Sequence, residues 1–256
     1  MVKMPGQKLL EVSDSELTGD NTMGEVFFKR FTFNQLVEHW AMIGTFMLLV
    51  ISGMPLKFPD AWWSPVIVNL LGGFEMRTLI HHTAGIGMVF LGVYHVVYHV
   101  FIDKESLLER NVWPTLKDVK DFWQTIQFYV GKAEHPKFGR YSWKEKFDYW
   151  GAFWGMVMLC VTGLVMMFPF VAMEYIPYAY VHLSTIIHTD EALLATLFIF
   201  IVHWWNVHYS PEVFPMSKAW ITGNLSEEQM KHEHPLEYEE IMRQMDEKSE
   251  KITFNR

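Results

Sequence analysis

Four long stretches of this chain contain no Asp, Glu, Lys or Arg: from Glu38 to Lys57, Arg77 to Asp103, Asp148 to Glu174, and Glu191 to Glu212, counted between those flanking charges. A helix needs about 20 apolar residues to cross the hydrocarbon core of a bilayer, and in that core the backbone must satisfy its own polar groups. Soluble helices seldom run so far without a charge. The pattern predicts an all-α, integral-membrane four-helix bundle with spans at about 36–57, 78–102, 147–170 and 180–209. The chain then divides into an N-terminal tail (1–35), a four-span domain (36–209) containing a long loop (103–146), and a C-terminal tail (210–256).

Basic residues give the orientation. Of the 21 Lys and Arg residues, all but Lys57 and Arg77 lie in the two tails and the long loop. Basic loops stay on the cytoplasmic side. The expectation is a multi-pass protein of a bacterial or archaeal cell membrane, with both termini cytoplasmic. The first 30 residues are polar and lack the apolar core of a secretory signal, so the first span is expected to serve as its own insertion signal. In the loop, Leu116, Val119, Phe122, Trp123, Ile126 and Val130 recur at helical spacing among lysines and aspartates. That predicts a helix lying on the inner membrane surface or packed on a partner subunit. The tail from Ser226 to Lys251 reads as a charged, soluble helix. Gly151 and Gly155 give span three a small-xxx-small spacing that allows close helix approach. No internal repeat stands out. The formal charge of −8 is spread over tails and loops and gives no basic footprint for nucleic acid.

The single cysteine, Cys160, excludes an internal disulfide, a Cys-rich iron–sulfur site and covalent c-type haem attachment. Histidine is the informative residue. Nine of the twelve lie in or beside the spans: His39, His81, His82, His95, His99, His182, His188, His203 and His208. Ionisable groups inside a membrane are costly and mark function. His39, His95, His99 and His203 fall near the inner ends of their spans; His81, His82 and His188 fall near the outer ends. His188 and His203 are 15 residues apart, or about 22 Å along a helix, and His81 and His95 are 14 apart. Two layers at that separation suit two b-type haems, each held by a pair of imidazoles between helices. Zinc sites are compact clusters rather than two distant layers. Gly44 and Gly85, close to the histidines, are candidates for the small residues that a flat macrocycle needs. The surplus histidines leave room for a third haem.

Several segments in order resemble one family. These are Arg30 through His39-Trp40, Arg77 through His81-His82 to Gly85, and Gly139-Arg140-Tyr141 through Trp150. Thr162-Gly163 with Pro169, His188 and His203 of span four, and Glu233-His234-Pro235 with Tyr238 continue the set. It resembles the cytochrome b (gamma) subunits of respiratory formate dehydrogenases and the related cytochromes b of nickel–iron hydrogenases, over about Arg30 to Met242. The resemblance implies that His81 and His188 hold an outer haem b and His39 and His203 an inner one. It implies a quinone-linked respiratory oxidoreductase complex, with iron–sulfur and catalytic subunits on the periplasmic side and menaquinone as electron acceptor. The family's quinone pocket maps to His203 and Ser142, where Ser142 replaces an asparagine. His82 is the alternative to His81, and His95 the alternative to His39. If His95 serves, both haems hang on spans two and four, as in the cytochrome b of bc-type complexes. Asp190 and Glu191, directly after His188, are candidates for a proton site. Arg30, Arg77 and Arg140 are candidates for haem propionate contacts.

Two other classes compete. One is a haem-containing membrane anchor that docks a periplasmic partner, such as a multihaem c-type cytochrome. The other is a proton-coupled transporter, but the paired, broken helices of that class are missing from the pattern. No substrate chemistry beyond quinone redox is expected of the chain alone.

Overall fold

A computed structural model of the chain describes residues 26–102, 112–211, 213–214 and 216–254, with side chains to 247. Residues 1–25 of the polar segment expected not to be a signal, and the start of the long loop with Lys104 and Arg110, lie outside the described residues. Among the described residues, four helices are long and apolar enough to cross a membrane: α1 (Phe33–Lys57), α3 (Gly73–Val97), α5 (Trp143–Met167) and α7 (Tyr178–Leu197). α3 continues through a π-turn (Tyr98–Ile102), and α7 through two, Phe198–His203 and Trp205–Tyr209. The expected all-α four-helix membrane fold is the observed one. Short helices that the sequence pattern did not single out bridge the spans: α2 (Ser64–Leu70) and α6 (Pro169–Tyr175). Gly72, with φ of 90°, and Gly73, with φ of 89°, take the left-handed turn that carries α2 into α3.

The chain forms two compact units. The first comprises Asn34–Lys104 and Trp150–Val207 and holds nearly all of the four spans. Its burial is inverted relative to a soluble protein. Glu38, Ser52, Arg77, His99 and Thr162 are buried, whereas Phe74, Phe90 and Ile201 are exposed. In lipid the apolar surface needs no cover, and the polar groups must face one another. Gly151 and Gly155 are where α7 comes close, as their spacing predicts. A Cβ at Gly151 would meet the Phe198 ring at 3.4 Å, and one at Gly155 would meet Glu191 Oε1 at 3.2 Å.

The second unit gathers the segment up to Phe33, the loop to Tyr149 and the tail from His208. Strand β1 (Phe27–Lys29) pairs antiparallel with β2 (Asn224–Ser226), a sheet that no alternation in the sequence announced. Phe28, Leu225, Met230, Ala219 and Ile241 form its core. The tail supplies α8 (Ala219–Thr222), α9 (Glu227–Glu233) and α10 (Pro235–Phe254), and the loop supplies α4 (Leu116–Tyr129). α4 starts on a capping box of Thr115 and Asp118. It buries Asp121 and Thr125 and leaves Leu116 83% and Val119 65% exposed, so its apolar stripe faces outward from the unit. Arg30 and Arg140 tie the three segments together. Both guanidinium groups donate to Glu237, at 3.0 and 2.9 Å, Arg30 also reaches Glu145 at 2.8 Å, and each arginine donates to the other's carbonyl oxygen. Burial opposes the charge on Arg140, but Glu237 beside it outweighs that and raises its pKa.

Candidate haem site

α3 and α7 present His81 and His188 to each other with ring centroids 6.4 Å apart and planes crossing at 76°. A metal–imidazole bond is about 2 Å, and a ring nitrogen lies about 1 Å from the ring centre. Two imidazoles that share one metal ion therefore stand about 6 Å apart. The observed pair has that separation.

A neighbouring helix aims each ring by the same device. Ser52 of α1 donates its hydroxyl proton to the Leu48 carbonyl oxygen at 2.5 Å, so its Oγ accepts from the Nδ1–H of His81 at 2.9 Å. Thr162 of α5 donates to the Met158 carbonyl oxygen at 2.7 Å and accepts from His188 Nδ1 at 3.0 Å. With Nδ1 protonated, each ring keeps its Nε2 lone pair for a metal, the arrangement that fixes ligand tautomers at metal sites. The next residue is a glycine in both helices. A Cβ at Gly53 would stand 3.1 Å from His81 Cε1, and one at Gly163 would stand 3.1 Å from His188 Cε1. Any larger residue at either place would press on the ring and shift it by a few tenths of an ångström. The sequence has no visible repeat, yet the α1–α3 and α5–α7 pairs use one construction twice. A Cβ at Gly44 would meet no atom within 4 Å and one at Gly85 only Leu49 at 3.9 Å, so the space beside these two is open, whereas Gly53 and Gly163 stand against the imidazoles.

The other layer holds His39 of α1 and His203 of the first π-turn after α7, which lie within electrostatic range of each other. His39 and Ser52 are 13 residues apart on α1, about 20 Å, so the layers stand on opposite sides of a bilayer core. His95 is engaged elsewhere: its Nδ1 lies 2.6 Å from Glu38 Oε2 and its ring packs on His99 at 4.5 Å. His82 and His182 are exposed on their helices.

The remaining expected residues separate. Arg77 is buried and donates to the Ser52 carbonyl oxygen at 2.9 Å, which ties it to the backbone of the His81 anchor. Asp190 is exposed and ion-paired with Lys57, while Glu191 turns toward Gly155. Ser142 belongs to the tail unit, where its N–H and hydroxyl both donate to Glu145, at 2.7 and 2.9 Å, at the start of α5. His203 belongs to the bundle unit, and Arg30 and Arg140 to the tail unit. The sequence pattern missed Ser52, Gly53 and Glu38. It marked Thr162-Gly163 only as the close of a span.

A four-span bundle that brings histidines of different helices together in two layers is the architecture of a membrane cytochrome b. The profile of the prokaryotic cytochrome b561 family matches residues 31–204, and the chain belongs to that family. It is 23% identical, over 86% of its length and 96% of the relative's, to the cytochrome b556(fdo) subunit of formate dehydrogenase from Escherichia coli K12. The nitrate-inducible formate dehydrogenase cytochrome b556(Fdn) subunit of the same strain is 25% identical over 79% of this chain and 86% of its own. The formate dehydrogenase cytochrome b556 subunit of Haemophilus influenzae Rd is 22% identical over 82% of each chain. The protein is an integral-membrane cytochrome b, and haem b is the group that its family implies.

Proposed function

We propose that this chain is the quinone-linked electron-transfer subunit of a respiratory oxidoreductase of the formate dehydrogenase type. His81 and His188 would hold one b-type haem, and His39 and His203 a second. The mutual placement of His81 and His188, each anchored through Nδ1 to a hydroxyl on an adjacent helix, carries this reading. Bound haem supplies reversible one-electron chemistry, and two histidines per iron leave no place for oxygen. The protein supplies the rest. It fixes the ring tautomers and sets the two layers about 20 Å apart.

Residues 26–33, the loop and the tail fold as one unit, which supports a common side of the membrane for both termini. The basic bias of those segments supports the cytoplasmic side. The His81/His188 layer would then accept electrons from periplasmic iron–sulfur and catalytic subunits. The His39/His203 layer would deliver them to menaquinone near the cytoplasmic face. A multihaem c-type cytochrome is the alternative electron partner. Arg77 is the best placed of the three arginines to meet a propionate, since the guanidinium groups of Arg30 and Arg140 are held by Glu145 and Glu237.

Haem extraction and reduced-minus-oxidised spectra test the proposal. The native chain should carry two b haems, and His39→Ala and His81→Ala should each carry one. Two haems retained in His39→Ala would move the inner ligand to His95 and favour the bc-type arrangement. No haem in the native protein would refute the function.

A further inference from the structure

Among the described residues, one cluster of metal-ligating side chains lies outside the paired histidine layers. Glu38 points from α1 toward α3, where His95 and His99 stand one helical turn apart. Glu38 Oε2 is 2.6 Å from His95 Nδ1, Glu38 Oε1 is 3.6 Å from His99 Nε2, and one ligand atom from each of the three lies within 4.8 Å of the others. Glu38 and His99 are both buried, each with 6% of its surface exposed. The carboxylate is itself held. Asn34 donates to Glu38 Oε1, and the Tyr94 hydroxyl donates to Asn34 Oδ1 at 2.7 Å. His99 lies in the π-turn that continues α3, a local distortion common at functional sites.

We propose that Glu38, His95 and His99 form a binding site for a divalent transition metal, with zinc as the favoured ion. Two imidazoles and one carboxylate are the ligand set of an exchangeable zinc site, which leaves a fourth position for water. Ligand atoms around tetrahedral zinc stand about 3.3 Å apart, so closure needs shifts of about 1 Å or less. The Tyr94–Asn34–Glu38 chain is the kind of outer support that orients a metal-binding carboxylate. Magnesium and calcium prefer all-oxygen sites, which this is not. Glu38 adjoins His39 in sequence, so an ion here would sit beside the inner histidine layer.

This inference rests on His95 not being a haem ligand, and the test separates the two. The haem-loaded chain in detergent would be stripped with EDTA, equilibrated with zinc, and assayed for bound metal and haem. The native protein should retain about one zinc. Glu38→Gln and His99→Gln should lose zinc affinity by at least about tenfold while keeping the native haem count, which also shows that they fold. Failure of the native chain to retain zinc, or undiminished zinc in both variants, would overturn the metal site and leave the ligand assignment intact. His95→Gln decides the rest. Loss of a haem would overturn both readings, and loss of zinc with both haems kept supports both.

Discussion

The hydroxyls of Ser52 and Thr162 give the sharpest test of how this bundle aims its histidines. Ser52→Ala deletes the acceptor 2.9 Å from His81 Nδ1, and Thr162→Val deletes the acceptor 3.0 Å from His188 Nδ1 with almost no change of shape. A buried donor left without a partner costs about 1–3 kcal/mol. Removal of an outer-shell partner of a metal-bound histidine typically lowers metal affinity about 10- to 100-fold, or about 1.4–2.7 kcal/mol. The two magnitudes agree, so each variant should release one haem about 10- to 100-fold more readily. With His81 and His188 on one iron, as proposed, both hydroxyls would serve one ligand pair, and the double variant should fall short of the sum. Haem loss to an excess of apomyoglobin measures the affinity, and an optical redox titration identifies the component affected. Both variants should change the same redox component and leave the other alone. If they change different components, His81 and His188 do not share an iron. If neither changes anything, the hydroxyls do not set the ligands.

The same geometry makes three further outcomes measurable. Gly53→Val places carbon where even a Cβ would stand 3.1 Å from His81 Cε1, so it should abolish haem binding at the His81/His188 layer and spare the other; two haems in the purified variant would refute the close seating. Arg30→Ala removes a buried cation from Glu145 and Glu237, and breaking a buried ion pair costs roughly 3–5 kcal/mol, so limited proteolysis should cut the C-terminal tail much faster than in the native protein. His234 is held below the usual histidine range, first by burial and then by the Arg30 charge. The unfolded tail therefore binds a proton that the folded tail refuses, and stability present above pH about 6.5 is lost as the pH falls below it. Tail proteolysis should accelerate between about pH 7.5 and 5.5 in the native protein and depend less on pH in His234→Gln.

The spans were legible in the sequence because lipid imposes one demand on every residue of a helix, and charge-free runs satisfy it visibly. His81 and His188 were legible as a layer because their depth follows from position along a helix. Their anchors were not. A Ser-Gly or Thr-Gly pair is common, and its meaning here depends on the register between two helices that no local pattern encodes. The π-turns were equally hidden. Fifteen residues of ideal helix turn His203 by about 60° from His188, but each π-turn adds a residue and rotates the rest of the helix by about 100°. Arg30 and Arg140 read as interfacial cations for haem, and only the return of the tail shows that Glu145 and Glu237 have claimed them.

Glu38 shows the same limit from the other side. Counting charges marks it as the boundary of the first span, which assumes that an acid so close to a membrane reaches water. In the structure it lies inside α1, 6% exposed, with His95 and His99 against it. A carboxylate can stay in such a place because α3 brings imidazoles to meet it, and the sequence pattern counts those imidazoles as candidate haem ligands without showing the acid that faces them. The acid and the surplus histidines account for each other.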